Sequence, residues 1–342
     1  MLMIVAHHYV VNSGLYVLNS DSLMVTHPTA ANSIYLFFLG MWGKTGINCF
    51  LMITGYFMCK STITLRKFLK LIGQIYLYKI TIFLMLLCGG YTTFSLKDFV
   101  SMISPVWKLQ SNFIGCFIIF WLTIPFWNIL IHNMTKRQHQ LLLCLLLGCY
   151  TLLGSIPKFH IDFNYVTWFG IIYLIASYIR RYPNAIFEGT KKWGILTLCT
   201  IALSLLATFI LILLYGGKIP YFFVSDSNKI FAVLVAVSSF LWFKNMKVSY
   251  NKTINIVGAS TFGVLLIHAN SDAMRTWLWK DTIDCIGHYN MSLPNLMAYS
   301  MSAILVIFTF CIIIDRLRIK FLEEPLLKWY DHKYKYRCQN KI

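Results

Sequence analysis

With 342 residues, 58% of them hydrophobic and only 12% charged, the chain is far from the roughly one-quarter charged composition of soluble domains, and that class is excluded. Apolar runs of about 20 residues, the length that crosses a hydrocarbon core roughly 30 Å thick, recur from one end to the other, so a single cleaved leader does not account for them. The basic residues behind the net charge of +18 lie between those runs, which points to topology first, to anionic lipid or a phosphate-bearing substrate second, and not to nucleic acid.

The fold class that follows is an all-α integral membrane protein. Within long continuous runs only helices satisfy their own backbone hydrogen bonds, and the ten-residue alternation of a membrane barrel is absent. In chain order the predicted spans are 1–19, 41–59, 70–90, 112–132, 138–156, 164–180, 193–215, 228–244, 253–271 and 294–315, about ten transmembrane helices. The connections 60–70, 132–139, 180–193 and 244–252, with the tail after Asp315, carry most of the 30 lysines and arginines. By the positive-inside rule both termini are then cytoplasmic, which requires an even number of spans. No repeat period or linker divides the chain, so 1–342 reads as one membrane domain whose last stretch, 316–342, is a basic cytoplasmic tail.

The first run, MLMIVAHHYV, sets His7 and His8 side by side. Adjacent helix residues point about 100° apart, so the two rings cannot clamp one metal ion. Each is either a neutral ring bonded to a neighbouring helix or a functional group, since ionisable residues inside a membrane are costly. The second run opens GMWGKTG, but a phosphate loop ending at Lys44-Thr45 needs glycine where Phe38 stands and a strand before it, so that chemistry is rejected. In LRKFLK, at the cytoplasmic start of the third span, Arg66 and Lys70 are four apart and Lys67 and Lys70 three apart, a spacing that sets topology and also suits phosphate.

Further along, His132 and His139 lack carboxylate or thiol neighbours, and no metal site is expected. Cys49, Cys59, Cys88, Cys116, Cys144, Cys149, Cys199 and Cys311 lie in or beside apolar runs and read as packing residues; only Cys285 falls in a polar outer loop, so no disulfide framework is implied. His268, in GASTFGVLLIHAN near the outer end of the ninth span, is either an interfacial anchor or a second functional histidine. Two outer connections are long, 91–111 and 272–293. The second, with Asp272, Arg275, Trp277, Trp279 and Lys280, reads as an interfacial belt on a re-entrant or amphipathic turn, with a ligand surface as the alternative.

Taken together these residues resemble the acyltransferase 3 family of multi-spanning membrane O-acyltransferases. The likeness runs in order through the first-span histidine, GKTGINCFLMITGYF with its Thr54-Gly55-Tyr56 triplet, LRKFLK, NFIGCFIIFWLTIPFWNIL, YVTWFGIIYLIASYIRR, ASTFGVLLIH and EEPLL, and so covers nearly the whole chain. It implies transfer of an acetyl group from cytoplasmic acetyl-CoA to a hydroxyl of a surface glycan or its lipid-linked precursor. It also implies a multi-pass position in a bacterial-type inner membrane, in contact with membrane lipid and with polysaccharide-assembly proteins as candidate partners. Family spacing points to His8 as the catalytic base, with His7 as its alternative and His268 as a further site residue; Arg66, Lys67 and Lys70 are implied to hold the donor's phosphates.

The family's first span carries an arginine ten residues ahead of its histidine. Counted back from His8, that position precedes Met1, and the expectation is a first helix truncated at its N-terminus, with an inactive family member as the alternative. The rival class is a polytopic glycan transporter or flippase. It predicts broken helices, internal repeats and midplane carboxylates, and the predicted spans hold almost no Asp or Glu and no visible repeat.

Overall fold

The computed structural model describes residues 1–96, 99–100, 104, 113–159 and 161–339, with side chains as far as residue 333. The predicted outer connection 91–111 lies largely outside the described residues. Among those described, every regular element is helical. In order they are α1 (Leu2–Val11), α2 (Leu23–Thr26), α3 (Ala31–Gly40), α4 (Gly43–Met58), α5 (Leu65–Cys88), α6 (Phe113–Asn133), α7 (Lys136–Leu147), α8 (Tyr165–Arg181), α9 (Thr190–Tyr215), α10 (Ile230–Asn245), α11 (Lys252–His268), α12 (Asp272–Thr276), α13 (Leu293–Arg318) and α14 (Glu324–Gln339).

Among the described residues, six helices are long and apolar enough to cross a membrane: Ala31–Met58, which runs α3 into α4, then Leu65–Cys88, Phe113–Asn133, Lys136–Ser155, Thr190–Lys218 and Leu293–Lys333. A seventh is completed if α11 and the segment Asp272–Thr282, which turns by 96° at the break between them, count as one span. Each of the ten predicted runs coincides with a helix, but α1, α8 and α10, at 10, 17 and 16 residues, are shorter than a full crossing.

The first run departs most from expectation. α1 stops at Val11 because the residues after it end helices: the Asn12 N–H bonds the His8 carbonyl, the Ser13 hydroxyl donates to the Val10 carbonyl at 3.1 Å, and Gly14 takes φ +90°. Ten residues rise only about 15 Å, half the hydrocarbon thickness. The second run starts at Ala31 rather than residue 41, since ANSIYLFFLG is itself apolar and helical.

Two apolar cores organise the bundle. One joins α1, α3, α5, α11, α12 and α13; the other surrounds α8, which packs against α4, α6 and α7 and buries every residue from Trp168 to Ser177. The seam between α1 and the α3–α4 joint is made by glycines three residues apart. A Cβ at Gly40 would come within 2.9 Å of Val10 Cβ, one at Gly46 within 2.9 Å of Ile4 Cγ1, and one at Gly43 would enter the His7 ring. The glycine-rich stretch that resembles a phosphate loop on paper is therefore where α1 seats against α3 and α4, the close-packing use of small residues in membrane bundles.

Candidate functional site

Seating α1 in this way aims its histidines inward. His8 and His268, 260 residues apart in sequence, meet with His8 Nδ1 3.0 Å from His268 Nε2, ring centroids 5.1 Å apart. With both rings neutral, hydrogen-bond directions assign both tautomers. His268 is fully buried, and its Nδ1 sits on the Val264 carbonyl one turn back in α11, an atom that only accepts. His268 Nδ1 is thus protonated and its Nε2 accepts, so His8 Nδ1 carries the proton that it donates. The consequence is chemical: the free nitrogen of His8 is Nε2, an unprotonated lone pair on a half-buried ring.

His7 lies next to this pair but not in it. Its Nδ1 donates to the Gly40 carbonyl, its ring packs on Gly43, and its centroid is 5.7 Å from that of His8. Around the pair stand Lys44, held by the Tyr165 hydroxyl at 2.6 Å and by Asp226 at 3.4 Å, and the bent segment after His268. There Trp279 is fully buried, edge-on to both Tyr9 (5.9 Å) and His268 (6.4 Å). Met274, Leu278 and Cys285 are buried with it. The loop expected to be an interfacial belt is instead partly core, folded against α1. Sequence reasoning could have suspected this from the apolar pair Met274-Leu278 at i, i+4 spacing with Trp279 beside it.

The three residues expected to bind donor phosphates lie at the other end of α5. Asn270, two residues past His268, donates to the Tyr78 carbonyl at 3.4 Å, and Arg66 is twelve residues before Tyr78, roughly 18 Å along the helix. Here Arg66 grips Asp331 of α14 with two prongs, Nε at 2.9 Å and Nη2 at 3.1 Å. Lys70 pairs with Glu323 at 2.8 Å, and Lys67 donates to the Ser61 hydroxyl at 2.6 Å and the Thr62 carbonyl at 2.8 Å. The side chains fit a phosphate ligand in one respect: the fork of Arg66 already holds an oxyanion in the bidentate geometry that phosphate takes.

A buried ionic network that sequence reasoning missed continues inward from Lys70. Glu323 accepts from Arg318 at 2.6 Å, and Arg318 donates to Asp315 at 2.8 Å. The same Asp315 oxygen accepts from the Tyr78 hydroxyl at 2.8 Å and from Gln74 at 3.2 Å. Asp315 is fully buried, its carboxylate against Gly263 of α11, so α5, α11 and α13 are tied together just below the histidine pair.

A family model described as an acyltransferase domain matches residues 1–316. No curated protein and no solved structure matches the chain. A bundle of membrane-length helices that brings two histidines of the first and ninth runs together, under a family match over most of its length, leads to one conclusion: the chain belongs to the acyltransferase 3 family and is a membrane acyltransferase.

Proposed function

We propose that the protein transfers an acetyl group from cytoplasmic acetyl-CoA to a hydroxyl of a surface glycan or its lipid-linked precursor. The observation that carries this reading is the tautomer chain Val264–His268–His8, which leaves His8 Nε2 as the lone pair that a hydroxyl nucleophile needs. In the proposed step the acceptor oxygen attacks the acetyl carbonyl carbon as its proton passes to His8 Nε2. The carbonyl π pair moves onto the carbonyl oxygen; on collapse the C=O bond re-forms, the C–S bond breaks, and the thiolate takes the proton back from His8. His268 is a positioning residue here, fixing the ring and the tautomer of His8, and His7 is a packing residue.

The spacing of the two candidate sites supports a long, thin donor with a charged head. Roughly 18 Å of α5 separates the level of Arg66 from that of His268, so phosphates near Arg66, Lys67 and Lys70 would send a flexible arm up to the pair. The reading includes a multi-pass position in a bacterial-type inner membrane with both termini cytoplasmic, so that donor and acceptor arrive from opposite sides. Polysaccharide-assembly proteins are the partners it suggests. Its test is His8→Ala with protein amount held equal and radiolabelled acetyl counted in isolated glycan. General-base removal lowers the rate by about 10² to 10⁴; undiminished labelling refutes the assignment.

A further inference from the structure

A base alone does not complete acyl transfer, because the carbonyl oxygen becomes an anion inside a low-dielectric bundle and has to be met by fixed donors. Buried N–H groups are rarely left without acceptors, so donors found in that state near the base are the places to look. Two occur on one element. Arg275 Nε and Trp279 Nε1 are both buried without a hydrogen-bond partner, four residues apart and so on one helical face, on the bent segment that follows His268. Arg275 uses only Nη1 elsewhere, on the almost fully exposed Asp272 at 2.9 Å. Arg275 follows His268 by seven residues on this segment, and the Trp279 ring meets the His268 ring edge-on, centroids 6.4 Å apart.

The geometry of the segment fits the task. It leaves α11 at 96° and passes into a π-helical turn at Trp277–Thr282, a form common at functional sites. The turn is pinned from both sides: Trp279 is fully buried against Tyr9 of the histidine helix, and the Ile283 N–H closes onto the Leu278 carbonyl. By contrast Lys44, the other cation beside the pair, is already committed to Tyr165 and Asp226.

We propose that Arg275 Nε and Trp279 Nε1 form the oxyanion hole of the transferase, receiving the acetyl carbonyl oxygen of a thioester donor as His8 Nε2 takes the acceptor proton. This rests on the acetyl-transfer reading above. In the tetrahedral intermediate the oxygen carries the displaced π pair, and the two N–H groups bond to it without giving up their protons; the guanidinium adds a fixed positive charge.

The test uses the full-length protein in proteoliposomes with acetyl-CoA as probe. Trp279→Phe keeps the ring and removes the N–H; Arg275→Lys keeps the charge and removes Nε. Loss of one oxyanion donor is expected to lower kcat by about 10² to 10³ with the KM for acetyl-CoA nearly unchanged. A raised KM with unchanged kcat, or wild-type kinetics in both variants while His8→Ala is inactive, overturns the oxyanion hole and leaves the acetyl-transfer reading standing. If His8→Ala also transfers at the wild-type rate, the failure belongs to that reading instead. A second measurement needs no substitution: with ¹³C-labelled acetyl-CoA and no acceptor, the carbonyl stretch of donor bound to wild-type protein should fall below its value in water, and an unshifted band refutes the proposal.

Discussion

In the proposed mechanism, replacing His268 by alanine separates the role of orienter from that of base. The fully buried His268 Nε2 is the acceptor for His8 Nδ1–H at 3.0 Å, and its loss leaves the His8 ring free to turn and to move its proton to Nε2, where the base lone pair should be. One such hydrogen bond is worth about 0.5 to 1.5 kcal/mol net, so the base-competent form falls by roughly 2- to 13-fold in His268→Ala. That is shallower than the roughly 10² to 10⁴ expected for removing the base itself in His8→Ala. His268→Gln sharpens the comparison, because its side-chain oxygen reaches about where Nε2 sits and accepts the same proton. The assay is initial-rate acetyl transfer with each variant normalised to folded protein by thermal melting, since emptying a buried site also lowers stability. The expected order is wild type, His268→Gln, His268→Ala, His8→Ala. A His268→Ala rate as low as that of His8→Ala, or a glutamine variant no better than alanine, refutes the assigned roles.

Two other outcomes follow from the Arg66 end of α5. Asp331→Asn frees the fork of Arg66, and because the pair is about half exposed its release is worth about 0 to 1 kcal/mol, so the apparent KM for acetyl-CoA should fall by up to about fivefold; a KM that does not move under donor titration makes Arg66 a topology residue only. Asp315→Asn removes the charge opposite the buried Arg318 and should cost about 3 to 5 kcal/mol, read as a large drop in melting temperature in detergent, whereas the half-exposed pair Arg66–Asp331 should tolerate the same change.

The individual parts of the candidate site were legible, and their assembly was not. His8 and His268 stand out in the sequence because a titratable ring in an apolar run is costly, yet no local pattern relates residues 260 positions apart, and only the packing of α1 against α11 joins them. The glycines of GMWGKTG were visible as a motif while their purpose was hidden, since close helix approach depends on which residues of α1 face them. The end of α1 was lost for a simpler reason: hydropathy counts through Asn12, Ser13 and Gly14, whereas the backbone stops at them. From sequence Asp315 reads as the last residue of a span and Arg318 as part of a basic tail, because their burial by α5 and α11 is a tertiary fact. Arg275 and Trp279 have the composition of an interface anchor, and the same composition serves a packed turn.

The Val264 carbonyl that ends the histidine chain has a consequence for the path of the proton. A hydrogen-bonded row of imidazoles conducts protons only if each ring can hand one on, and a backbone carbonyl cannot do so. The row therefore ends inside α11. In the proposed step, a proton taken up at His8 Nε2 therefore goes back out by the nitrogen through which it came and is not passed along the row.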